Sequence, residues 1–209
     1  MIEIGAHGLG ADLPAEIVPL SWLLGVWEGT GVVNYDVGDD TRTHEFGQRV
    51  SFSHDGLPFL NYSSSTWLLD PEDAADAERG VFAAESGYWR LSRPKTEGDP
   101  GPGLLPGVGP APFGTAQAVE VLRNAAGGFD IEVSIVHPIG VSELYLGQVK
   151  DPRIDLSTDA VVRTATAKEH AASTRMYGLV ERHLLWAWDI AALGQPLATH
   201  ASARLARVD

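Results

Sequence analysis

With no cysteine in 209 residues, thiolate nucleophiles, disulfides and Cys-based metal sites are excluded, and the seven histidines become the main candidates for chemistry. His7 stands in a Gly-rich N-terminal stretch and His54 in a turn, and both read as solvated. His44 and His170 lie in or beside strands without partners at ligand spacing, and His183 follows Glu181 and Arg182 as an exposed strand start. His137 precedes Pro138 in a turn between two strands, where it would overhang a barrel mouth. His200 sits among small residues, Ala198-Thr199-His200-Ala201-Ser202-Ala203, which would let a flat ligand approach the backbone closely. No pair has the i, i+2 or i, i+4 spacing of a zinc site. Strict alternation places His200 on a face with Ser202 and Arg204, opposite Ala201 and Leu205, which by itself describes an outward-facing imidazole.

Other chemistries have little support. The sequence has neither a Gly-x-Ser-x-Gly elbow nor a phosphate-cradling loop. Gly25-Val26-Trp27-Glu28-Gly29-Thr30-Gly31 contains a Gly-x-Gly, but it enters a strand where a dinucleotide site would need a strand-to-helix turn. These glycines read as close-packing positions in a bent first strand, with Trp27 plugging one end of a barrel.

The elements that must position such residues are almost all strands. Pro14 opens a short apolar segment, Ala15 to Leu24, in which Ile17, Leu20 and Leu24 predict one short helix. After Val26 come segments rich in Val, Phe, Tyr, Trp and Thr, separated by turn clusters and by the acidic stretch Asp70 to Gly80. Strands are expected at 32–35, 45–52, 59–69, 81–91, 116–123, 129–136, 141–150, 153–156, 168–178, 179–190 and 197–207. In one of them Ile131, Val133 and Ile135 alternate with Glu132 and Ser134, the pattern of a strand buried on one face.

About ten short strands with one helix give an all-β sandwich or an antiparallel up-and-down β-barrel, and the barrel leaves less chain unaccounted for. Residues 1–13 read as a mobile arm and 14–209 as one domain. Within it Pro94 to Phe113 is too dense in Pro and Gly for a central strand, and forms a long hairpin loop, either a lid or a surface insertion.

The formal net charge of −13, with basic residues scattered, argues against a nucleic-acid or anionic-membrane partner. No apolar run reaches the roughly 18–20 residues of a membrane span, and the N-terminus lacks the regions of a signal peptide, so the expected location is the cytoplasm.

Several segments together resemble the nitrobindins, a haem-binding β-barrel family. Gly25-Val26-Trp27-Glu28-Gly29-Thr30-Gly31 is similar to the family's Gly-x-Trp-x-Gly-x-Gly signature after a short helix. It is followed in order by His54-Asp55-Gly56-Leu57-Pro58-Phe59-Leu60, Glu85-Ser86-Gly87-Tyr88-Trp89-Arg90, His137-Pro138-Ile139-Gly140, Thr166-Ala167-Lys168-Glu169 and Gln195-Pro196-Leu197-Ala198-Thr199-His200. The resemblance implies haem b held by His200 as axial ligand, with Lys168 and Thr41 as further haem contacts. It implies isomerisation of peroxynitrite to nitrate at a mainly ferric haem, and binding or sensing of nitric oxide. Ala83 stands where some relatives carry a histidine, and the 94–113 loop replaces a compact hairpin. A non-enzymatic haem or nitric oxide carrier, and an iron-free binder of apolar metabolites, remain as alternatives.

Overall fold

The computed structural model describes residues 13–37, 40–69 and 81–208. Ten antiparallel strands run in chain order: β1 (Gly25–Val37), β2 (Asp40–Ser53), β3 (Leu60–Leu68), β4 (Val81–Leu91), β5 (Phe129–His137), β6 (Val141–Lys150), β7 (Arg153–Arg163), β8 (His170–Val180), β9 (His183–Ala192) and β10 (Ala198–Arg207). Each pairs with its sequence neighbours, and β1 pairs with β10 to close the barrel, so no sheet edge is left over. The expected up-and-down barrel is therefore the observed fold.

Alternation sends one residue in two inward. In β5 it buries Phe129, Ile131, Val133, Ile135 and His137. The register fixes which residues share an end. Gly25, Phe52, Leu60, Leu91, Phe129, Val149 and Arg207 stand at one end, and Val37, Leu68, Val81, His137, Val141, His170 and Ala198 at the other.

The first end is closed by the N-terminal helix. It spans Ala15–Leu23 and is a 3₁₀ helix containing Pro19. Proline has no N–H to donate to the fourth residue back, which disfavours an α-helix through this segment. At three residues per turn Ile17, Leu20 and Leu23 fall on one face, and all three are fully buried. Trp27 packs beneath them and donates its indole N–H to the Leu23 carbonyl at 2.7 Å, so the plug read from the sequence is real. The motif's glycines make room for β10. A Cβ on Gly29 would meet the Arg204 carbonyl at 2.2 Å, and one on Gly31 would meet the Ser202 carbonyl at 2.4 Å.

Three expectations change. The strand predicted at 116–123 is helical: α1 (Ala116–Val119), then a 3₁₀ turn, Glu120–Leu122. Thr115 caps it by accepting from Ala118 N–H, and Ala-Gln-Ala favours helix where no strand partner is offered. The short strand predicted at 153–156 continues to Arg163. Leu13, the last residue of the expected arm, packs against the core; the rest of that arm, with His7, and the acidic stretch Asp70 to Gly80 lie outside the described residues.

The 94–113 loop leaves β4 at the helix end, which removes the lid reading for anything bound near the histidines. Arg93 anchors it, pairing with Asp99 at 2.6 Å and with Glu16 of the helix, while its guanidinium lies 5.7 Å from the centre of the Phe113 ring.

One seam is shorter than the others. β7 and β8 are in register only from Arg153–Gly178 to Ser157–Thr174. Beyond that the Thr158 hydroxyl takes over, accepting from Ser173 N–H at 3.0 Å and donating to the Ser173 carbonyl at 3.2 Å.

Candidate functional site

Three imidazoles from three strands gather around one indole at the end opposite the helix. Trp188 of β9 stacks with His137 (centroids 6.1 Å, planes 10° apart) and with His170 (6.1 Å, 28°). His200 meets it at right angles, 5.5 Å away and inclined 84°.

Two register shifts make this possible. Between β10 and β9 the pairing passes from Thr199–Asp189 to Ala201–Trp188, leaving His200 as an extra residue. The bulge turns its side chain to the inner face, against Trp188, where unbroken alternation would have sent it out. The outward reading of His200 fails for that reason. Between β8 and β9 the pairing passes from His170–Ala192 to Ala172–Ala191, and this second bulge brings His170 to the same indole. Both bulges flank β9, one from each side.

Below the imidazoles lies a polar layer crossing the barrel. Glu143, on β6, is buried and accepts from His137 Nε2 at 2.7 Å and from the Ser173 hydroxyl. His170 Nε2 lies 3.0 Å from its other oxygen, in ionic contact but out of hydrogen-bond alignment. Burial would raise the Glu143 pKa, but the contacts with His137, His170 and Ser173 and the charge of Arg175 outweigh it and hold this carboxyl well below the usual range.

Arg175 of β8 grips Glu85 of β4 through both oxygens at 2.7 and 2.9 Å, donates to the Tyr145 hydroxyl at 3.0 Å, and places its guanidinium 4.3 Å from the centre of the Trp188 ring. Tyr62 donates to Glu85 at 2.7 Å, and Tyr145 and Ser173 share a 2.7 Å bond. Buried charges are thus paired and hydrogen-bonded at every step.

His200 differs from the other two imidazoles. Burial lowers its pKa below the ordinary 6.5, outweighing a hydrogen bond to the main chain of Asn34 that acts the other way. The lowered pKa favours the neutral ring, the form in which one nitrogen keeps a lone pair that can bind a metal.

The remaining predicted residues are more scattered. Thr41 is exposed at the start of β2 and donates to Asp36 at 2.8 Å. Lys168 is exposed on the loop before His170, its carbonyl taken by Arg163 at 3.1 Å. Gly25, Trp27 and Gly29 belong to the helix end and to the β1–β10 packing. His137 is the buried last residue of β5, not a turn residue, and His170 has in Glu143 the partner its sequence neighbours did not offer. His44 pairs with the Tyr35 hydroxyl at 3.1 Å. His54 is half-buried and accepts from Gly56 N–H at 3.2 Å, while His183 lies against the Glu181 carbonyl at 2.9 Å.

Sequence reasoning missed Trp188, Glu143 and Arg175. A signal existed: Glu143 sits between Val141 and Tyr145, and Arg175 between Ser173 and Tyr177, each a charge at an inward position of an alternating strand. Among the described residues no His, Asp and Glu cluster has metal-binding geometry of its own, so a metal here would arrive within a larger ligand. Two concavities lie elsewhere. One of about 1110 Å³ is on the outer wall over β7 to β10 and β1, and one of about 600 Å³ is under the 94–113 loop; neither is lined by a histidine.

A closed barrel, plugged by a helix at one end and gathering three imidazoles around an indole at the other, is built as a ligand-binding barrel. The chain belongs to the THAP4-like, heme-binding beta-barrel domain family, whose model matches residues 16–207. It is 71% identical over its whole length, and that of the relative, to a peroxynitrite isomerase of Leifsonia xyli subsp. xyli. It is 66% identical, again with both chains fully covered, to a peroxynitrite isomerase of Clavibacter michiganensis subsp. michiganensis. The crystal structure of Rv2717c from M. tuberculosis superimposes with a TM-score of 0.65 at 27% identity, covering 94% of this chain and 99% of that one.

Proposed function

We propose that this protein is a haem-dependent peroxynitrite isomerase that binds haem b through His200. The observation that carries the reading is the bulge at His200, which turns its imidazole against Trp188 on the inner face of a barrel of the haem-binding family. The relatives named peroxynitrite isomerase, matched over the full chain, supply the reaction.

The residues present fit the group. Ala198, Ala201 and Ala203 put no bulky side chain beside the imidazole, and Trp188 offers an aromatic wall whose Nε1 is buried without a hydrogen-bond partner. When bound, the haem supplies the redox chemistry that rearranges peroxynitrite to nitrate. The chain would hold the ligating imidazole of His200 against Trp188, with the hydrogen-bonded polar layer of Glu143 beneath it. Lys168, exposed at the same end, would face a haem carboxylate, and Thr41, hydrogen-bonded to Asp36, would be a further contact at the haem edge. The same iron position would take nitric oxide. No helix among the described residues is long and apolar enough to cross a membrane, and the reading places the protein in the cytoplasm.

The test is His200→Ala with hemin titration at the Soret band. The expected outcome is loss of stable binding with an unchanged circular dichroism spectrum, because Ala keeps the strand's backbone bonds. Wild-type affinity and spectrum in the variant would overturn the assignment. Stopped-flow decay of peroxynitrite with the wild-type holoprotein separates an isomerase from a carrier.

A further inference from the structure

The proposed function uses one of the three imidazoles and leaves the buried acid beneath them without a role. Three facts connect that acid to His200. Glu143 holds His137 by a 2.7 Å hydrogen bond and contacts His170 at 3.0 Å, each through Nε2. Those two rings both stack with Trp188, one from the end of β5 and one from a bulge in β8. Trp188 in turn stands edge-on to His200. The indole has little other polar restraint, since its N–H has no hydrogen-bond partner, though Arg175 lies over its ring.

An imidazole ligand needs two constraints: one on the tautomer and one on the rotation of its plane. The hydrogen bond to the Asn34 main chain bears on the first, and the perpendicular contact with Trp188 bears on the second. We propose that Glu143 is a positioning residue for His200: through His137 and His170 it fixes Trp188, and Trp188 fixes the plane of the haem-ligating imidazole. This rests on His200 as the ligand. It makes the two bulges a matched pair, one aiming the ligand and the other aiming part of the clamp that orients it.

The role predicts a specific loss in Glu143→Gln. The amide keeps the volume but loses the charge that His137 and His170 face and offers one acceptor oxygen where His137 and Ser173 now use two. In the ¹⁵N-labelled apo-protein, the Trp188 indole N–H and the His200 ring resonances are expected to broaden or move toward solvent-exposed values. Hemin affinity is expected to fall about 10- to 100-fold, the usual cost of losing support for a ligating histidine. The Soret band should also shift. Should Glu143→Gln fail to fold, Trp188→Leu removes the contact directly with every charge kept in place, and the same His200 shift and loss of affinity are expected. A folded Glu143→Gln variant with unmoved Trp188 and His200 resonances overturns the proposal. So does hemin affinity within twofold of wild type in either folded variant. Failure of the ligand assignment looks different: His200→Ala would then bind hemin normally, whatever the ring resonances do.

Discussion

The two ends of this barrel obey the same inside–outside alternation and use it for opposite purposes. At the helix end inward positions carry Ile17, Leu20, Leu23, Trp27, Phe52, Leu60 and Trp89, all apolar and nearly all fully buried. At the histidine end they carry His137, Glu143, Ser173, Arg175 and Trp188, and two strands break register to add His170 and His200. The first end follows the strand pattern without exception. The second breaks register at His170 and His200, and also between β3 and β4 and between β6 and β7, and adds a buried charge network to aim side chains, as sheets often do beside functional sites. Stability and chemistry are thus separated along the barrel axis, and substitutions should separate them too.

The largest stability effect is expected at Trp27. Trp27→Ala empties the plug and strips the Leu23 carbonyl of its 2.7 Å partner. A loss of about 3–5 kcal/mol in denaturant unfolding is expected. Hemin affinity of the fraction that remains folded should be unchanged, and a comparable loss of affinity would show the two ends to be coupled.

Arg93 comes next. Its side chain and those of Glu16 and Asp99 are each less than 8% exposed. Arg93→Ala leaves two buried carboxylates uncompensated, at a cost of about 3–5 kcal/mol. The pH dependence has a definite sign. The hydrogen bonds from Arg93 outweigh burial and hold the Asp99 carboxyl far below its usual value, so its contribution is complete above the unfolded carboxylate range. It declines as pH falls below about 4 and is gone once pH passes the lower folded value. Urea unfolding of wild type and Asp99→Asn at pH 7 and pH 3 checks this, since the gap between them should shrink on acidification.

Gly31→Ala should cost less, about 1–3 kcal/mol, because the new methyl would crowd the Ser202 carbonyl and the Phe46 ring, each at 2.4 Å. Lys168→Gln closes the series. It is exposed, so no change in thermal melting is expected, while a haem-carboxylate contact should weaken hemin binding by a few-fold, read in the Soret titration.

The sequence made the strands of the helix end easy to read, because apolar residues at period two state their own burial, and it placed the helix but not its 3₁₀ form, which puts Leu23 on the buried face where Leu24 was expected. It made His200 visible only through its likeness to the nitrobindins, since alternation gave the wrong face. A bulge has no sequence signature as plain as a turn's, and here it falls between Thr199 and Ala201 with no glycine to mark it. The Glu143 network was hidden for another reason: its members are spread from Glu85 to Arg175, on β4, β5, β6 and β8, and meet only when the barrel closes. The 116–123 segment was misread because a capped helical turn and a short strand look alike at that length.

The short β7–β8 seam gives the barrel an uneven mechanical character. Nine of its ten joints are longer ladders, and the tenth ends at Ser157 in a single threonine hydroxyl. The cylinder is therefore slotted along the histidine half and continuous along the helix half. A slotted sleeve can widen at its lip with its base fixed. Here the lip carries His170, one of the rings stacked on Trp188.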